Sequence, residues 1–384
     1  KTAFGYIKNY YEERGIHKRN CEIDRIVQGC VGVRRTTGQH PGGIVVLPVG
    51  EEINTFTPVQ HPANDMTTAT VTTHFDYHSI DHNLLKLDIL GHDDPTMIRM
   101  LQDLTGIDPT TIPLDDESVM SLFKNTSALG VTPDDIHGIP LGCLGIPEFG
   151  TDFAMQMVID AKPQEFSDLI RISGLSHGTD VWLGNAQTLI EQGLATISTA
   201  ICTRDDIMIY LIQMGLDSEQ SFTIMESVRK GKGLKEEWKE EMRAHDVPEW
   251  YIDSCLKIKY MFPKAHAAAY VMMGWRVAWF KVHKPLAYYA AYFGIRASAF
   301  SYEIMCRGKE RLDIALSDLL KTPKDQQTKK DQDTIRDGRI AQEMYARGFT
   351  FMPIDIYKAK ARECQIIDGK IMPPLSSVEG LGDK

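Results

Sequence analysis

The stretch Leu84-Leu85-Lys86-Leu87-Asp88-Ile89-Leu90-Gly91 constrains this chain more than any other. A short apolar run stopped by glycine reads as a buried strand. Two charged residues interrupt it at alternate positions. Strand side chains alternate faces, so Lys86 and Asp88 share one face, about 6–7 Å apart. A carboxylate and an ammonium on an otherwise apolar strand are unfavourable unless paired or used. The strand is therefore expected to form one wall of an active site.

The surroundings of that strand set limits. The chain has 384 residues, 43% of them hydrophobic, enough for two or three domains with cores of their own. No apolar run is long enough to cross a bilayer, so no membrane partner is expected. The first residue is Lys1 and not methionine, so sequence is expected to precede it. Seven cysteines are dispersed without CxxC spacing, which indicates neither a zinc site nor a disulfide framework and fits a reducing cytoplasm. The net charge of −10 argues against a uniformly basic coat. Yet residues 25–50 hold basic and no acidic residues, and residues 254–300 hold seven Lys/Arg and again no acidic residue. A solvated helix face would mix both signs, so both patches are candidate nucleic-acid surfaces.

Residues 1–30 read as helical with a break at Gly15. Arg34-Arg35-Thr36-Thr37-Gly38-Gln39-His40-Pro41-Gly42-Gly43 is a basic, glycine-rich loop before the β-branched run 44–47. It suits either a phosphate contact or a tight turn. Val71–Asp76 reads as a strand. His74, His78 and His82 recur every four residues, but their surroundings do not favour the single helix that would align them on a metal. Asp94 and Pro95 suit a helix start, and the stripe Met97, Ile98, Leu101, Leu104 is expected to pack on the sheet.

From residue 114 the chain reads as mostly helical. Residues 173–180 read as a polar loop between helices. Val228-Arg229-Lys230-Gly231-Lys232-Gly233 ends a helix with three cations, which suit phosphate or an ordinary C-cap. Pro263 suits the start of a helix bearing Lys264, His266 and Tyr270 in its first turns, a natural anion site. The tryptophans that follow read as core. Residues 321–338 are charged and glutamine-rich and read as exposed. Val378-Glu379-Gly380-Leu381-Gly382 is similar to the turn of a helix-hairpin-helix.

Taken in order, residues 34–43, 85–96, 172–182, 225–233 and 262–270 carry a specific resemblance. The chain resembles the alpha subunit of bacterial replicative DNA polymerase III, of the PolC type. The resemblance implies an α+β fold: part of a nucleotidyltransferase-type palm sheet with covering helices, followed by a mostly α-helical fingers domain. It implies the C-terminal part of the palm over 1–110, helical fingers over 111–310, and over 311–384 the end of the fingers and the truncated start of a helix-hairpin-helix or clamp-binding region. Asp88 matches one of three aspartates that hold two Mg2+ ions, and Lys86 a lysine that contacts the nucleotide. The upstream Asp-x-Asp strand of the family has no counterpart here. Candidate triphosphate contacts are Arg204, Arg229, Lys230, Lys264 and His266, with Tyr260 stacking on the incoming base. Candidate contacts to the DNA backbone are Arg34, Arg35, His40 and Lys232. One departure is Met155, where the family pattern has a basic residue.

The implied function is deoxynucleotide addition to a primer 3′ end by two-metal phosphoryl transfer. The implied partners are primer-template DNA, deoxynucleoside triphosphates, and a sliding clamp and clamp loader through regions outside this chain, in the cytoplasm at the nucleoid. With one aspartate of three, the isolated chain is expected to be inactive. Two alternatives remain: a non-catalytic nucleic-acid-binding module, and a metallohydrolase using the histidines with Asp88, Asp93 and Asp94.

Overall fold

A computed structural model describes residues 2–33, 36–89 and 91–381. Two of the candidate DNA-contacting residues, Arg34 and Arg35, lie outside the described residues, as do Leu90 and the last glycine of the hairpin-like ending. The chain divides into two compact units, Lys1–Gly91 and His92–Lys384. Among the described residues no helix is long and apolar enough to cross a membrane.

The first unit begins with helices α1 (Ala3–Glu12) and α2 (Asn20–Gly29), separated near Gly15, which takes the left-handed conformation that glycine tolerates. Four short strands follow: β1 (Gly43–Val46), β2 (Val59–Gln60), β3 (Thr72–Thr73) and β4 (Leu85–Asp88). β1 pairs antiparallel with β4, and β2 with β3. Of the run expected at 71–76, only two residues join a ladder. β4 itself departs from expectation. It is not buried: Leu85, Leu87 and Ile89 are 61%, 42% and 60% exposed. The ribbon is two strands wide, and its apolar face, with Ile44 and Val46 opposite Leu87 and Leu85, stays open. Only Ile23 and Leu84 are buried apolar side chains among the described residues of this unit.

The second unit is helical: α3 (Asp93–Thr105), α4 (Glu117–Met120), α5 (Asp152–Ala161), α6 (Phe166–His177), α7 (Gln187–Glu191), α8 (Arg204–Gln213), α9 (Ser218–Arg229), α10 (Glu236–Ala244) and α11 (Glu249–Lys257). Then come α12 (Lys264–His283), α13 (Pro285–Ala291), α14 (Tyr302–Met305), α15 (Lys309–Leu320), α16 (Lys329–Ala346) and a hairpin of β5 (Gln365–Ile367) and β6 (Lys370–Met372).

α12 is its axis. It packs against α3, α4, α6, α8 and α13 and buries Ala267, Val271, Trp275, Val277, Ala278 and Phe280. Gly274 lets the carbonyl of Pro147 approach: a Cβ there would come within 2.9 Å of it. Trp275 is core, its indole N–H donating to Pro113 O at 2.8 Å. Lys281, fully buried, donates to the carbonyls of Gly142 and Leu144, both at 2.7 Å, and pairs with buried Glu343 at 2.9 Å. Tyr289 completes that network by donating to Glu343 at 2.6 Å. Buried charges hold here because the ammonium and both carboxylate oxygens have partners.

Further expectations change. α3 packs on α12 and α13 within the second unit. Its N-cap is His92, while Asp94 is wholly buried. α6 runs on through His177 instead of breaking at 173, because Gly174 fits against the carbonyl of Cys202, which a Cβ would approach to 2.8 Å. α16 buries Thr334, Ile335, Asp337 and Gly338, so within the helix the charged stretch exposes one face only, with Lys329, Lys330, Gln332 and Arg336 on it. Met155 is buried in the core, a place that would not accept a cation.

Candidate functional site

In the first unit the register Gly43↔Asp88 and Val45↔Lys86 sets Lys86 and Asp88 on the ribbon face opposite its open apolar face. Lys86 Nζ lies 4.9 Å from the centre of the Tyr77 ring, a cation–π contact that holds the ammonium. Asp88 is exposed, and its carboxylate has no hydrogen bond or ion pair among the described residues. Lys86 lines a cavity of about 860 Å³ together with residues of the glycine-rich loop and of 70–78. His40 shapes that loop. Its Nδ1 accepts from the backbone N–H of Gly42 at 3.1 Å and of Gly43 at 2.6 Å. Gly43 has to be glycine, since a Cβ would lie 2.8 Å from that nitrogen. His40 therefore organises a tight turn and has only Nε2 left to meet a ligand. The histidines 74, 78 and 82 do not gather: His74 bonds Gln60, and the other two flank Asp81.

In the second unit residues 259–262 tie three helices together. Thr179 and Tyr260 form a bridge, Met261 N–H donates to Arg229 O, and Arg204 N–H donates to Phe262 O. This extended segment brings the end of α9 and the starts of α8 and α12 to one place. Three candidate cations converge there on a single acid. Arg229 donates through NH2 to Glu226 Oε2 at 2.9 Å, Lys230 Nζ lies at 3.1 Å, and Arg204 NH1 at 4.0 Å. The Arg229 hydrogen bond, with Lys230 beside it, pulls the Glu226 carboxyl down to about 2 against the opposing effect of burial. The Nε of Arg204 is buried with no hydrogen-bond partner.

Lys264 is likewise engaged, its Nζ 3.5 Å from Asp206. The N-terminus of α12 is already occupied by an anion, because Asp205 accepts the Lys264 backbone N–H at 2.7 Å. Gly231, at φ +68, passes against the backbone of Lys259, so the glycine serves close packing of the C-cap. Lys232 is exposed and without an ion pair among the described residues. Tyr260 is half-exposed and its backbone is fixed by Thr179.

Beside these cations runs a column of rings. His177 stacks on Phe262 at 4.8 Å, Phe262 meets His266 edge-on at 4.6 Å, His266 stacks on Tyr270 at 4.3 Å, and Tyr270 meets His92 at 4.9 Å. Burial, and then nearby His177, push His266 below the ordinary histidine range, so its imidazole is neutral at pH 7. Glu148, held at φ +71, reaches His177 Nε2 at 3.3 Å, and Arg296 pairs with Asp94. Glu226, Asp205, Asp206, Glu148 and Arg296 were not among the sequence candidates. Glu226 had a legible signal, since acids three and four residues before Arg229 and Lys230 share their helix face. The others are partners brought from distant parts of the chain.

The sequence profile described as "Bacterial DNA polymerase III alpha NTPase domain" matches residues 2–91, and that described as "Bacterial DNA polymerase III alpha subunit finger domain" matches residues 94–246. Proteins named "DNA polymerase III PolC-type" from Staphylococcus aureus strains MW2 and N315 are each 57% identical over 383 residues. The match covers 100% of this chain and 26% of each relative.

Proposed function

The chain belongs to the PolC-type DNA polymerase III alpha-subunit family and spans about a quarter of its curated relatives, and on that premise we propose that it is a palm–fingers segment of a replicative DNA polymerase. Its reaction is attack by a primer 3′ hydroxyl on the α-phosphate of a deoxynucleoside triphosphate, with pyrophosphate leaving. The observation that carries this reading is the gathering of Arg204, Arg229 and Lys230 on one carboxylate, beside Lys264 and a neutral His266.

A triphosphate is a competitor for those cations. In its absence Glu226 holds them in place; in its presence Arg229, Lys230 and the Nε of Arg204, which has no hydrogen bond, turn to phosphate oxygens, which accept in the same bidentate manner. His266 donates as a neutral imidazole. Tyr260 offers an exposed ring on a fixed backbone, suited to stacking on any base. Lys86 reaches phosphate from the strand face, while Lys232, His40 through Nε2, Arg34 and Arg35 meet the DNA backbone.

Magnesium would supply activation of the 3′ hydroxyl and neutralisation of the leaving pyrophosphate. Asp88 fits one ligand position, since its exposed carboxylate is unengaged, but among the described residues no group of three potential ligands includes it. The division into palm over 1–110, fingers over 111–310 and a hairpin or clamp-binding start over 311–384 belongs to this proposal. So do the sliding-clamp and clamp-loader partners and the location at the nucleoid.

The test uses the Staphylococcus aureus relative carrying this chain in place of its matching segment. Lys86→Ala and Arg229→Ala are each expected to lower single-nucleotide incorporation at least tenfold while primer-template affinity holds within about twofold. Unchanged incorporation in both would make these cations structural and favour a nucleic-acid-binding module.

A further inference from the structure

Two acids in the second unit face histidine nitrogens, and one of them keeps a buried oxygen without a hydrogen bond. Asp94 is completely buried, one oxygen is taken by Arg296, and the other, Oδ2, has no hydrogen-bond partner. That oxygen lies 3.2 Å from His92 Nδ1. Yet His92 Nδ1 already accepts the backbone N–H of Asp94 at 3.2 Å, as the cap of α3, so it presents a lone pair and not a proton. Glu148 repeats the pattern. Its Oε2 lies 3.3 Å from His177 Nε2, while His177 Nδ1 is 2.8 Å from the carbonyl of Ser173, which can only accept. The two histidine–carboxylate contacts thus sit at neighbouring points. His92, Asp94 and Glu148 each offer a ligand atom within 4.8 Å of the other two.

We propose that His92, Asp94 and Glu148 bind a divalent transition-metal ion, with His177 as a further donor beside Glu148. A cation at the centre of the cluster gives the buried Oδ2 of Asp94 the partner it lacks. The donor set, imidazole with carboxylates, suits Zn2+, Co2+ or Mn2+ better than Mg2+, which prefers oxygen and keeps its waters. Tetrahedral ligand atoms around zinc stand about 3.4 Å apart, so the group closes by about an ångström, within reach of the Glu148 side chain. Arg296 on the far oxygen of Asp94 fixes the carboxylate as an outer partner does in built metal sites. The proposal does not use Asp88 and does not depend on the polymerase reading.

The experiment is titration of the metal-stripped 384-residue chain with Co2+, read by visible ligand-field absorption and by calorimetry. One saturable Co2+ per chain is expected, displaced by Zn2+ and not by a large excess of Mg2+. Glu148→Gln removes a ligand at the rim without disturbing the buried Asp94–Arg296 pair, and is expected to weaken Co2+ binding about tenfold or more at unchanged circular dichroism. Absence of a one-to-one site, or full retention of affinity in Glu148→Gln, would each overturn the proposal.

Discussion

At the scale of single residues, Glu226 shows most clearly how the cations are kept. Its carboxyl titrates near 2 because Arg229 and Lys230 favour the charged form. A carboxylate depressed on folding contributes stability that is fully present above the ordinary glutamate range and is lost as pH falls toward about 2. Glu226→Gln is therefore expected to be less stable than the parent at neutral pH, with the gap closing as pH drops through that window. Denaturation midpoints across pH check this; a gap independent of pH would remove the linkage. Lys281 poses the opposite case. Burial pushes its ammonium pKa down, opposed by Glu343, and removal of the cation strands the acid. Lys281→Met is expected to lose about 3–5 kcal/mol in urea denaturation, and Lys281→Met with Glu343→Leu to recover much of it.

At the scale of elements, what could be read beforehand and what could not divide on physical grounds. The end of α9 at Arg229, the start of α12 at Lys264 and the pairing of His266 with Tyr270 depend on neighbours a few residues away, and local spacing encodes such features. The exposure of β4 was hidden, because an apolar run says that burial is favourable and not that a partner is present. The extension of α6 across Gly174 was hidden too, since the glycine answers to the carbonyl of Cys202 in another segment. The same holds for the site. The cations were visible as residues, but the acids that hold Lys264 were not, because Asp205 and Asp206 reach it across more than fifty residues of sequence. A cation cluster read from sequence therefore looked free when it is largely ion-paired.

At the scale of the molecule, the two units differ in what holds them. The continuous apolar core runs from Met97 to Ile371, entirely within the second unit, whereas the first buries Ile23 and Leu84. Burial of that kind is too little to offset chain entropy in a segment of this length. A polypeptide of residues 92–384 is expected to unfold cooperatively, near the midpoint of the whole chain, and residues 2–91 alone to show no cooperative transition. Calorimetry of the two pieces checks this, and a sharp transition from the smaller piece would refute the ledger.

The central claim is that Asp88 stands in a metal-dependent nucleotidyl-transfer site. In the Staphylococcus aureus relative carrying this chain as its matching segment, single-turnover incorporation by Asp88→Asn tests it most directly. The expected result is loss of incorporation by at least a thousandfold with primer-template affinity preserved. Near-normal incorporation by Asp88→Asn, at equal affinity for primer-template, would contradict the account.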